Sequence, residues 1–175
     1  MSRDELVDIV DENDRVIDRV TRAEMRAGRR RHRCVYIILM NSSGRIFLHR
    51  RTRTKDVYPG FWDATIGGVV ASGEDYDQGA AREVGEEVGL HDVALTRLFP
   101  INYEDAQTRV SGMVYSCRSD APLNLQAEEV EEGRWATLDE VAEMSKRERF
   151  CPDGLVVLDR FLRASGLIAK GRAED

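Results

Sequence analysis

The stretch GGVVASGEDYDQGAAREVGEEVGL, Gly67 to Leu90, holds six acidic side chains and no lysine. Glu83, Glu86 and Glu87 crowd into its second half. That half has a helical pattern: Ala80, Ala81, Val84 and Val88 fall on one face, and Gly89 supplies the stop. Successive helical residues turn by about 100°, so the three glutamates share one sector, beside the apolar stripe rather than opposite it. Carboxylates on such a half-buried border are pushed toward protonation unless a cation sits among them. Hard cations such as magnesium take oxygen ligands, and one rigid helix can supply several carboxylates. The plainer alternative is a solvated acidic face, the ordinary reading of an isolated EXXEE. The preceding loop favours the cation. Gly67 and Gly68 allow a tight path with exposed carbonyls, and Gly73 allows another turn. Arg82 is expected on a different face from Glu86, paired with an acid outside the helix such as Glu74.

Outward from this helix, the flanks read as strands and short helices. ELVDIV and RVIDRV, joined by the polar DEND, form an N-terminal hairpin. TRAEMRAG is a short helix with Thr21 as cap and Gly28 as stop. CVYIILM is a continuous apolar, β-branched run, hence a central strand, and RIFLHR alternates as the next one. YPGFWDATIGG leads from turn chemistry into another strand, and LTRLFPINYE and TRVSGMVYSC are two more. GRWATL is short and strand-like. LDEVAEMS is helical, with Thr137 or Asp139 near its start, and CPDGLVVLDRFLRASG is a helix from Pro152 to a Gly166 stop. Strands mixed with a few helices give an α/β (α+β) arrangement with a mixed sheet. We expect a hairpin extension over 1–30, the main domain over 31–168 and a frayed tail over 169–175.

The chain has 175 residues and an apolar share of 42%, enough for one buried core. A net charge of -6 argues against a nucleic-acid or membrane-surface binder, so neither a nucleic-acid polymer nor a membrane is an expected partner. The basic run Arg29–Arg33 is read as a solvated turn. Cys34, Cys117 and Cys151 show no metal spacing and are read as reduced thiols. With no apolar leader at the N-terminus and no apolar run long enough to span a membrane, the expected location is the cytoplasm.

From Gly68 the sequence runs Gly, five residues, Glu74, seven residues, then Arg82-Glu83-Val84-Gly85-Glu86-Glu87-Val88-Gly89-Leu90. It resembles, at every fixed position, the Nudix box Gx5Ex7REUxEExGU, in which U is a bulky aliphatic residue. The resemblance implies an α/β/α sandwich with a mixed sheet, and hydrolysis of a diphosphate joined to some group X with Mg2+ or Mn2+. It implies metal ligands at Glu83, Glu86, Glu87 and the Gly68 carbonyl. Glu74 and Arg82 match the pair that braces loop against helix, and Gly89 matches the last glycine of the box, while Gly73, at a free position, is read as a structural turn glycine. Glu86 and Arg82 are also candidate catalytic side chains. The family often keeps its general base outside the box, and QAEEVEEGRW offers Glu128, Glu129, Glu131 and Glu132 on what reads as a loop, with Glu128 or Glu129 preferred. Gly85 has no evident reason in the sequence, since glycine inside a helix costs about 1 kcal/mol relative to alanine.

The flanks DIVDENDRVIDRVTRAEMRAG, RHRCVYIILMN, LHRRTRTKDVYPGFWDATIGG and LQAEEVEEGRW are similar to the isopentenyl-diphosphate-isomerase-like branch of the Nudix family, and within it to the bacterial YfcD-like subgroup. Arg51 and Lys55 match positions that contact the diphosphate in the isomerases. An isomerase is therefore one alternative. Aligned on Trp62, however, the isomerase cysteine is Gly67 here and the following metal-binding histidine is Val69. The later glutamates fall near Thr108 and Val110, and of that metal site only His32 is matched. A nucleotide sensor without turnover is the other alternative, disfavoured because the box is intact. A small-molecule diphosphate is the expected substrate, its X group open, and a homodimer is an expected state by resemblance.

Overall fold

The computed structural model describes residues 3–167; the expected frayed tail over 169–175 lies outside them. β1 (Leu6–Val10) and β2 (Val16–Thr21) form the antiparallel hairpin, followed by α1 (Arg22–Ala27). Thr21 and Glu24 close a capping box on α1: the Thr21 hydroxyl accepts from the Glu24 N–H, and the Glu24 carboxylate accepts from the Thr21 N–H. β3 (His32–Met40) is the centre of the sheet. Along its whole length it pairs in parallel with β7 (Arg109–Arg118), which pairs antiparallel with β6 (Leu95–Glu104). β4 (Ile46–Arg51) pairs antiparallel with β8 (Val130–Ala136) and with the two-residue β5 (Trp62–Asp63). β1 joins the sheet beside β3 through Ile9 and His32, so the hairpin continues the main sheet.

β3 explains the layering. Its odd residues Val35, Ile37 and Leu39 face α2 (Tyr76–Val88), packing on Ala80, Val84 and Val88. Its even residues Tyr36, Ile38 and Met40 face α3 (Leu138–Ser145) and α4 (Pro152–Ala164), packing with Val141, Val157, Leu158 and Phe161. A strand covered on both faces must be apolar throughout, which is why CVYIILM lacks polar alternation. The result is an α/β/α sandwich around a mixed sheet. Among the described residues, no helix is long and apolar enough to cross a membrane.

Two strand expectations change. Of YPGFWDATIGG only Trp62–Asp63 is regular strand. The segment beyond it, Ile66 to Val70, lines the free edge of β3 instead: the Val35 N–H donates to the Gly68 carbonyl at 2.9 Å, and Ile37 and Ile66 exchange a bond pair. The last strand begins at Val130, earlier than GRWATL suggests, with a register shift opposite Arg50 and Arg51. Glu131 and Glu132 therefore lie in β8, not on a loop, where they face Arg50 at 3.8 and 3.5 Å.

Candidate active site

The box folds as a loop clasped to a helix. Asp75 caps α2, accepting from the Gln78 N–H, and Gly89 ends it in the left-handed conformation. Glu74 returns toward the helix and accepts two bonds from Arg82, at 2.8 and 3.0 Å, plus one from the Ala71 N–H at 3.0 Å. Those donors, Arg82 foremost, hold the Glu74 carboxyl below the usual range. Arg82 also donates to the Val69 carbonyl at 3.0 Å. Contrary to the expectation that Arg82 and Glu86 occupy different faces, one guanidinium nitrogen reaches both Glu83 (2.7 Å) and Glu86 (3.1 Å). Residues four apart on a helix are neighbours, and the long guanidinium bridges them.

The three box glutamates are not equivalent. Glu86 is exposed, whereas Glu83 and Glu87 are 6% and 1% exposed. Burial pushes the Glu83 carboxyl up and raises that of Glu87 to about 7. One Glu87 oxygen accepts from the Gly67 N–H at 3.4 Å, while the other, Oε1, is buried with no hydrogen-bond partner. Lys55 stands 3.7 Å from that oxygen and is ion-paired with Glu129. Among the described residues, no three acidic, histidine or cysteine side chains converge as a ready ion cage. The cations explain this, since Arg82 draws Glu83 and Glu86 toward itself and Lys55 is drawn to Glu129. The donor set still fits a hard cation: a buried Glu87 oxygen without a hydrogen bond, a second buried carboxylate, Glu83, one helical turn away, and a Gly68 carbonyl with one lone pair left.

Gly67 and Gly68 are demanded by this packing. A Cβ on Gly68 would sit 2.7 Å from Glu83 Oε1. Gly67 has φ of 149°, and its Cβ would meet the Val35 carbonyl oxygen at 2.0 Å. The isomerase cysteine therefore has no room at this position. Gly67→Ala is expected to cost about 3 kcal/mol or more of stability by combining clash and strain. Urea denaturation checks this, and a loss under about 1 kcal/mol would show that the loop simply moves aside. A Cβ on Gly85 would lie 3.0 Å from the ring of His91, an exposed side chain free to shift, so the packing does not explain the glycine there.

These groups line one wall of a pocket with about 80 Å³ of interior space. Arg51, Lys55 and Glu129 face it. Arg51 donates to the Val57 carbonyl at 3.2 Å and lies 3.9 Å from Asp63. Glu128 is not brought there: its side chain is exposed, and its backbone carbonyl instead accepts from the Thr52 hydroxyl at 3.0 Å. The turn preceding β8 directs one neighbour inward and the other to solvent.

Four pocket residues escape the sequence reading. Asp63, which is buried, and Asp153, which is half-buried, form an acidic pair. Asp63 accepts from the Thr65 hydroxyl at 2.9 Å and Asp153 from the Tyr36 hydroxyl at 3.0 Å. Burial, then the Asp63 charge, raises the Asp153 carboxyl to about 6. Arg22 and Arg26 reach the opposite wall from α1. Their spacing of four residues was the available signal. Where the isomerase pattern needs further metal ligands, Val69, Thr108 and Val110 line the pocket beside Arg26. His32 is buried, its Nδ1 is engaged by the Arg30 carbonyl, and burial beside Arg26 lowers its pKa to about 3. A second metal has no cage there. The basic run is spent internally: Arg29 and Arg31 pair with Glu104, Arg30 with Asp18 and Arg33 with Asp14.

The comparisons agree with this geometry. A family profile described as the NUDIX domain matches residues 30–159. An uncharacterized Nudix hydrolase of Yersinia pestis is 42% identical over 158 residues, 90% of this chain and 86% of its own. The uncharacterized Nudix hydrolase YfcD of Escherichia coli K12 is 40% identical over 159 residues, covering 91% and 87%. The crystal structure of DR0079 from Deinococcus radiodurans superposes with a TM-score of 0.77 at 28% identity, covering 89% of this chain and 98% of that one. With an unbroken box folded as a carboxylate helix against a glycine loop, the chain belongs to the Nudix hydrolase family.

Proposed function

We propose that this protein hydrolyses a diphosphate bond in a small organic or nucleoside diphosphate, with Mg2+ or Mn2+. The observation that carries the reading is Glu87. A buried carboxylate with one oxygen that accepts no hydrogen bond and has Lys55 no nearer than 3.7 Å, its pKa raised by burial, is poorly solvated until a metal ion arrives. Glu83, Glu86, Glu87 and the Gly68 carbonyl would hold that ion, which supplies charge neutralisation and acidification of water. Arg51 and Lys55 grip the diphosphate, Arg51 with a planar fork and Lys55 as a point charge. Glu74 and Arg82 hold the loop that carries Gly68.

Glu129 is the proposed general base. Its bond to Lys55 gives the substrate a role in activating it: a phosphate that attracts Lys55 frees the carboxylate to accept a proton from water. Glu129→Gln is expected to lower kcat by about a hundredfold or more, while Glu128→Gln leaves it within about twofold. Steady-state rates at saturating metal decide, and equal effects would place the base elsewhere. An isomerase reaction is disfavoured by the space at Gly67.

The test of the reading is a panel of diphosphates assayed for phosphate release with magnesium, with manganese and with chelator. Isopentenyl diphosphate is included with an isomer-resolving readout. Metal-dependent release from one compound class supports hydrolysis and identifies X. Isomerised product without phosphate release overturns it. Tight binding without turnover identifies a sensor.

A further inference from the structure

Arg26 is the anomaly of the pocket. Arg51 lies beside Asp63, Lys55 is bound to Glu129, and Arg22 stands 3.3 Å from Asp56. Arg26 forms no ion pair among the described residues. Among the described residues its one side-chain hydrogen bond is weak, NH1 to the Thr108 hydroxyl at 3.4 Å, and its Nε is buried without a hydrogen-bond partner. Burial lowers its pKa, so the guanidinium is inadequately solvated where it stands. A desolvated cation with free donors costs stability unless an anion completes it. The position is built, not accidental. Met25, 1% exposed, anchors α1 in the core, the capping box fixes the start of the helix, and the Arg22–Asp56 pair ties α1 to the loop that carries Lys55.

The charge balance points to the missing group. A diphosphate esterified at both ends, as in a nucleotide sugar or dinucleotide, has no phosphomonoester end. A free terminal phosphate carries a further ionisation near pH 6 and three acceptor oxygens. That extra charge matches Arg26, the pocket arginine without an acidic partner among the described residues, and a guanidinium fork fits two phosphate oxygens. We propose that Arg26, supported by Arg22, binds the terminal phosphate, so that the preferred substrates are diphosphates whose outer phosphate is free. The inference rests on the diphosphate hydrolysis proposed above. Such a reaction adds one water, forms one P–O bond and breaks one bridging P–O bond. It yields an organic monophosphate and orthophosphate, with the water's proton passing to Glu129.

The experiment has two arms. In the first, inorganic pyrophosphate is titrated calorimetrically into the full chain without metal. Arg26→Gln is expected to weaken binding by at least about tenfold, the order for losing a charge-assisted bond, with Arg26→Lys intermediate and thermal melts showing all variants folded. In the second, a nucleoside diphosphate is compared with the same compound capped on its outer phosphate by a sugar. The loss in kcat/KM on Arg26→Gln, carried mainly by KM, is expected to be at least about fivefold larger for the uncapped compound. Unchanged pyrophosphate affinity, or equal losses on both compounds, overturns the proposal. Pyrophosphate binding that depends on Arg26, with neither compound hydrolysed under any metal, would sink the hydrolase reading while sustaining the anion site. Should Arg26→Gln fail to fold, Arg22→Gln takes its place, with the same direction and a smaller effect expected.

Discussion

Glu87→Gln is expected to lower kcat by roughly a thousandfold or more, the order attached to removing a group that organises transition-state charge. The fold should survive. Glutamine is nearly isosteric, and the Gly67 N–H can still donate to its amide oxygen, as it does to the carboxylate at 3.4 Å. The native carboxylate is the costly form in this place, since burial raises its pKa to about 7. A group whose folded pKa lies above its unfolded value of 4.5 destabilises the fold as pH rises past that unfolded value. The neutral amide removes this penalty, so at pH 8 without metal the melting temperature should hold or rise. Metal titration should show weaker binding in the same variant. Activity kept within about tenfold of wild type would mean that Glu87 is not a ligand. A lost fold would mean that its role is structural.

A large stability effect is also expected at Arg82. Its guanidinium joins Glu74, Glu83, Glu86 and the Val69 carbonyl, and its side chain is 23% exposed. Arg82→Met keeps the aliphatic stem but leaves the Glu74 and Glu83 carboxylates without their main donor, and removing one partner of a buried pair costs about 3–5 kcal/mol. Solvent contact on the Glu86 side reduces that figure, so about 3 kcal/mol is expected from urea denaturation. Added magnesium should restore part of this loss, because an ion can replace the missing positive charge and favours the folded state by mass action. A loss under about 1 kcal/mol would mark these contacts as ordinary surface pairs.

The sequence revealed most where structure is local. The hairpin, the capped α1, the α2 helix with its Gly89 stop and the Pro152 start of α4 depend on neighbours within a few positions, and their signals are chemical. The box was legible for the same reason. What escaped required distant segments to meet. Asp153 reads as an ordinary acid in a helix's first turn, and only the fold brings it beside Asp63 and under the Tyr36 hydroxyl. Arg22 and Arg26 read as the polar face of a short helix until β1 pairs with β3 and turns that face into the pocket. Glu131 and Glu132 read as loop residues, because register and not composition decides where β8 begins.

The double coverage of β3 has a consequence for how such a chain can vary in length. Its backbone at Val35 holds the Gly68 carbonyl, and its next side chain, Tyr36, holds Asp153 on the other face. One inserted or deleted residue upstream within that strand would exchange the two faces, sending the tyrosine toward α2 and the valine toward α4. Both supports of the pocket would fail together, although the altered strand could still be wholly apolar. Drift in length is therefore confined to turns such as 41–45, whose ends are closed by Asn41 and Arg45, and to the segment after Arg118. Within 35–40 the number of residues is as much a requirement of the site as their identity.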